Sequence, residues 1–170
     1  MEFRFTEIIK APRERVFALT NDIDRAMEWL PAGVRIEKLT EGPVRVGSRY
    51  RETRTILGRD DTEIYEITVY EPPHRSEVFA DGRQGTAGRG EFRFRVDFAE
   101  AGPDSTRVDL VATAARLGCV GVILYPVVRG IIKRHTVADV AGLKAWIESQ
   151  PLGRDGQSPI ANLESPGPVG

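Results

Sequence analysis

The segment from Gly90 to Phe98 constrains this chain more than any other. Phe92, Phe94, Val96 and Phe98 alternate without error against Glu91, Arg93, Arg95 and Asp97. Side chains in a strand point to opposite faces in turn, so this pattern specifies a strand with one dry and one wet face. Sheets of that kind are antiparallel and need something laid over the dry side. Thr106 to Ala115 pairs with it across the turn Glu100-Ala101-Gly102-Pro103-Asp104. The inner positions of this second strand are Val108, Leu110, Ala112 and Ala114, and its alanines leave room for a close helix.

The rest of the chain supplies more strands. Glu2 to Lys10 carries Phe3, Phe5 and Ile9. Ala11-Pro12 ends it, and Pro12 suits a helix start because its missing N–H would have no partner there. A short helix, Arg13 to Thr20, buries Val16, Phe17 and Leu19; Asn21-Asp22 caps a second, Ile23 to Leu30, stopped by Pro31 and Gly33. Strands then read at Arg35–Leu39, Ser48–Leu57, Thr62–Tyr70 and Arg75–Ala80, separated by Gly- and Pro-containing turns. Gly118 to Ser149 reads as one long helix with an apolar stripe of Val122, Tyr125, Ile132, Val140, Leu143 and Ile147. Pro126 should kink it or mark its true start. The expected fold class is α+β: a curved antiparallel sheet of about seven strands, two short helices after the first, and a long C-terminal helix across the concave face. A strongly curved sheet cannot touch one helix everywhere, so a cavity is expected between them.

Composition narrows the function. With 24 basic and 25 acidic residues in 170, no net field favours nucleic acid. Cys119 is the single cysteine, which excludes an intrachain disulfide and points to a reducing, cytoplasmic setting. The N-terminus lacks the layout of a secretory signal, and the apolar run Leu117 to Val128 is shorter than the about 20 residues needed to span a bilayer. Residues 151–170 are Pro-, Gly- and Ser-rich without periodicity, and the expectation is a domain over 1–150 followed by a disordered tail.

No catalytic constellation stands out. The stretch Gly82 to Gly90 precedes a strand, whereas a phosphate-cradling loop opens a helix, so it reads as a flexible hairpin loop at a pocket rim. No metal-ligand spacing and no nucleophile elbow occur, and the expectation is no metal and no cofactor. His74 follows Pro72-Pro73 in a turn and reads as exposed. On the third strand, Tyr50, Glu52, Arg54 and Ile56 share the bulkier face, which is placed inward. Glu52 and Arg54 then lie about 7 Å apart along it. Either they pair or they meet a ligand, since buried charges persist only when compensated; the alternative is that this face points out or ends at a wet rim. His135, on the long helix, titrates near neutral pH, and it reads as a general acid or base or as a solvated edge residue. Trp29, Tyr65, Phe79, Phe92, Phe94 and Tyr125 complete the candidate lining of an apolar pocket with a polar end.

Several short motifs carry a family resemblance. Ala11-Pro12 stands before Val16-Phe17, and Trp29 closes the second short helix. Val46-Gly47-Ser48-Arg49-Tyr50 enters the third strand, Glu71-Pro72-Pro73 follows the fourth, and Leu143-Lys144 with Glu148 ends the long helix. In this order, over residues 2–149, they resemble the SRPBCC superfamily, which includes START domains, birch-pollen-allergen-like proteins and polyketide cyclase/dehydratase-like proteins. The resemblance implies a helix-grip fold and a small hydrophobic ligand (a lipid, an isoprenoid or a polyketide-like aromatic) that is carried in the pocket. A cyclase or dehydratase using the same pocket is the alternative. Membrane-surface or protein association through Leu117 to Val128, without stable membrane insertion, is the third.

Overall fold

The computed structural model describes residues 2–56, 58–86, 90–117 and 125–150, with only the backbone given for 125–128. Its strands are β1 (Glu2–Ile9), β2 (Val34–Lys38), β3 (Arg49–Ile56), β4 (Arg59–Glu71), β5 (Arg75–Asp81), β6 (Glu91–Gly102) and β7 (Ser105–Ala115). They form one seven-stranded antiparallel sheet in the order β1-β7-β6-β5-β4-β3-β2. Every neighbour except β1–β7 is also a neighbour in sequence. The chain therefore meanders, and the first strand joins the last.

Between β1 and β2 lie α1 (Arg13–Thr20) and a 3-10 helix, Ile23–Glu28. The Asp22 carboxylate accepts from the Arg25 N–H and caps the latter. The second short helix is thus a 3-10 turn that stops at Glu28, two residues earlier than its sequence suggests. The long helix α2 is described over Tyr125–Ser149 and has Pro126 near its N-terminal end. The helical reading of 118–124, the tail from 151, Cys119 and Val122 fall outside the described residues.

Strands also extend further than their turn residues suggest. Arg59, Asp60 and Asp61 read as turn but sit in β4, facing Ile56, Thr55 and Arg54 across the ladder. Their side chains justify this, because Asp60 accepts from both Arg35 and Thr55, which anchors the strand end. In β4 the register shifts between Ile67 and Val69. A bulge of this kind swaps the faces of the residues beyond it. Asp61, Glu63 and Tyr65 face inward before the bulge, and Tyr70 packs against Phe17 after it.

The core gathers at one end of the sheet. Phe17 from α1 meets Phe98 of β6 edge-on at 5.2 Å and Tyr70 at 5.3 Å. Ile9, Val16, Val108, Leu143 and Ile147 close around them. Thr106 is fully buried, but its hydroxyl donates to the Ala11 carbonyl at 2.7 Å, so no polar group is stranded there. The C-terminal half of α2 is pinned to β1: Lys144 Nζ bonds Glu7 at 2.8 Å, and Glu148 accepts from the Lys10 N–H at 2.9 Å. Earlier along the helix, Ile131, Ile132, His135 and Thr136 line a space between it and the sheet.

Candidate functional site

The gap between α2 and the sheet is a cavity of about 290 Å³. Its apolar wall comes from the dry faces of β5, β6 and β7. Val78, Phe94 and Ala112 are aligned across those three strands, and Val96 lies opposite Leu110. The helix contributes Ile131, Ile132, Val140 and Leu143 from the side facing the sheet.

The polar end is built on β3 and β4. Tyr50, Glu52, Arg54 and Ile56 all line the cavity, so the bulkier face of β3 is the inner one. Register sets Tyr50 opposite Tyr65 and Glu52 opposite Glu63. The tyrosine rings stack at 5.3 Å with 19° between their planes, and Tyr65 meets Phe94 edge-on at 6.0 Å. Like charges directly opposite each other destabilise a sheet, and Arg54 offsets this. Its Nε donates to Glu52, and its two terminal nitrogens grip Asp139 of α2 at 3.1 and 2.7 Å. The side chains of Glu52, Arg54 and Asp139 are only 14 %, 17 % and 20 % exposed. This triad ties α2 to β3.

Burial shifts the ionisation of the groups here. It pushes the Glu52 carboxyl above the usual carboxylate range, against the opposing pull of Arg54. It also raises both tyrosine hydroxyls, and the charge on Glu52 adds to the effect. Burial disfavours the Arg54 cation as well, but Glu52 and Asp139 outweigh that and hold it protonated. For His135, burial first and the Arg54 charge second lower the imidazole, so it is neutral at pH 7. Among the described residues, the buried indole N–H of Trp29 has no hydrogen-bond partner.

Of the residues singled out from sequence, Trp29, Tyr50, Glu52, Arg54, Ile56, Tyr65, Phe92, Phe94 and His135 line the cavity. Phe79 does not. Ser76 and Val78 point into the cavity, so Phe79, one residue on, faces the outer side of β5, where the Arg93 guanidinium lies 4.6 Å above its ring. The Tyr125 side chain lies outside the described residues. Sequence reasoning missed Asp139, Glu63, Asp61 and Thr136. Asp139 was traceable: it stands four residues after His135, on the helical face that carries Ile132 and Val140. Glu63 and Asp61 needed the pairing register of β3 with β4. The loop after β5 is also more anchored than its glycines suggest. Thr86 bonds reciprocally with Thr62 at 2.8 and 2.7 Å, and a Cβ on Gly85 would overlap the Thr62 carbonyl and the Glu63 carboxyl. Residues 87–89 lie outside the described residues. Among the described residues no group of three His, Cys, Asp or Glu side chains is placed to hold a metal ion.

A meandering antiparallel sheet folded about a C-terminal helix, with the cavity between them, is the helix-grip arrangement. The chain belongs to the family described as polyketide cyclase / dehydrase and lipid transport, of the SRPBCC type, which matches residues 1–148. Solved structures share its fold. The protein TTHA0849 from Thermus thermophilus is 22 % identical, with 86 % of this chain and 97 % of that one covered and a TM-score of 0.71. Ara h 8.0201 is 16 % identical over 88 % and 99 %, with a TM-score of 0.70. The Zhui aromatase/cyclase from Streptomyces sp. R1128 is 15 % identical over 87 % and 93 %, with a TM-score of 0.71. No curated protein matches the chain. Among the described residues no helix is long and apolar enough to cross a membrane.

Proposed function

We propose that this protein binds a small apolar molecule bearing a polar group, held in the cavity between α2 and the sheet. The carrying observation is the cavity itself, with an apolar wall at one side and the Glu52–Arg54–Asp139 triad at the other. Sites for small molecules have this composition, and about 290 Å³ lies just below their usual range of roughly 300–1,000 Å³. That size favours a compact one- or two-ring or short-chain molecule over a two-chain lipid. The family's description, which joins cyclases with lipid transport, is consistent with such a role. Native mass spectrometry of gently purified protein, followed by denaturing analysis, should reveal a retained small molecule, and Val78→Trp should abolish its uptake by filling the space. A clean apo mass together with no binding of any apolar probe at millimolar concentration rejects the proposal.

A second reading, a cyclase- or dehydratase-type enzyme, is favoured by one observation. Glu52 is a buried carboxyl with a raised pKa at the end of the cavity, beside the Tyr50–Tyr65 pair, and such groups serve in proton transfer. Glu52→Gln separates the readings: under the enzymatic one, ligand affinity persists while turnover of a cyclisable substrate is lost.

A further inference from the structure

The cavity has a small neighbour. A second space, of about 20 Å³, lies over the alanines of β7 and is lined by Phe3, Ala114 and Arg129. Phe92, Phe94 and Ile132 border both spaces, so they form the wall between them. A volume of about 20 Å³ has room for one water but not for a carbon skeleton.

Phe92 supplies bulk where its own row of the sheet has little. Its partners across the two ladders are Ala80 of β5 and Ala114 of β7, which are 0 % and 7 % exposed. A ring flanked by methyl groups on both neighbouring strands stands above its row, on the face that Ile132 covers from α2. Backbone geometry seats it there. Gly90 has a φ of +116°, and a Cβ on it would stand 3.2 Å from the Phe92 ring and 2.9 Å from the Leu117 side chain. The ring thus rests against main chain that a larger residue would push away, and a ring packed in this way makes a firm partition.

Resting on the binding role above, we propose that Phe92 is the specificity-determining residue that limits ligand length. It divides an apolar space that would otherwise continue over the alanines of β7 toward Arg129. Phe92→Ala leaves a row of alanine across β5, β6 and β7 and joins the two spaces. Phe94 shares the wall but also packs edge-on against Tyr65, so its removal disturbs the polar end as well.

The test is isothermal titration calorimetry of the full chain at pH 7 with the primary alcohols from hexan-1-ol to dodecan-1-ol. Each methylene that finds apolar surface should tighten binding by about fourfold, until the alkyl chain meets the wall and the gain stops. In Phe92→Ala the gain should continue for at least about two further methylenes, whatever happens to the affinity for hexan-1-ol. Ile132→Ala opens the same wall from the helix and should do likewise; circular dichroism identifies the variants that fold. A stopping length unchanged in every folded variant overturns the inference and leaves the binding role standing, because the natural protein has still taken an apolar chain. A natural protein that gains affinity all the way to dodecan-1-ol overturns it as well. Binding of none of the alcohols at millimolar concentration overturns both.

Discussion

Glu52 shows how one side chain can be tied to its surroundings in two opposing ways. Burial favours its neutral form, whereas Arg54 favours the carboxylate, and burial prevails. A carboxyl whose native pKa lies above its unfolded value holds its proton more tightly in the folded protein. Its ionisation therefore costs stability as pH rises from below 4.5 through the raised native value. The prediction concerns a difference. Urea unfolding of the natural protein and of Glu52→Gln should show the natural protein losing ground to the variant across that window, with a constant gap on either side. Other titrating groups cancel in the comparison. A gap that moves the opposite way would mean that the Arg54 pair dominates and that Glu52 is a carboxylate throughout.

At the scale of the element, α2 is decided by how closely it approaches the rest of the chain. Two of its glycines make the point. Gly142 faces Trp29, and a Cβ there would overlap the Trp29 carbonyl oxygen. Gly130 has no neighbour within 4 Å of where a Cβ would stand. Helix propensity favours alanine over glycine by about 1 kcal/mol at both positions. Gly130→Ala should therefore stabilise the protein by up to that amount, whereas Gly142→Ala should destabilise it by about 1–3 kcal/mol through forced separation of the helix from Trp29. Thermal unfolding followed by the helical circular-dichroism signal separates them by sign. The Lys144–Glu7 pair that fastens the same helix is partly solvated, and pairs of this kind contribute at most about 1 kcal/mol.

The whole molecule divides into a packed end and a hollow end. Phe17 sits where α1, β6 and α2 converge, while Phe94 lines the cavity. Phe17→Ala should cost about 3–5 kcal/mol, the usual penalty for emptying a closed core. Phe94→Ala should cost roughly half as much, because fewer contacts are lost and the new space joins one already present. Denaturant titration of both variants checks the ranking, and equal costs would indicate that the cavity is closed by collapse in solution.

Much of this architecture was legible in the residues alone. The alternation in β6, the alanines of β7 and the stripe on α2 are local patterns, and each follows from strand or helix geometry regardless of what lies across from it. Side-chain bulk pointed to the Tyr50–Glu52–Arg54 face of β3 as the inner one but left the opposite orientation open, because a strand carrying charge on both faces does not fix its own facing. Pairing register, in contrast, is a relation between segments. It placed Glu63 opposite Glu52, and the bulge after Ile67 re-aimed Tyr70 into the core, yet neither leaves a mark in a single strand. Phe79 was misplaced for a related reason: an aromatic ring reads as core until the strand's other face is known to be the buried one, and an arginine on the neighbouring strand can cover it instead. Asp139 reaches Arg54 across 85 positions in the chain, a contact made only when the helix lies over the sheet. Periodicity along the chain settles the elements and their dry faces, and it is written in the residues. Which charges meet inside is settled only by folding, because it depends on distances between segments that no local pattern encodes.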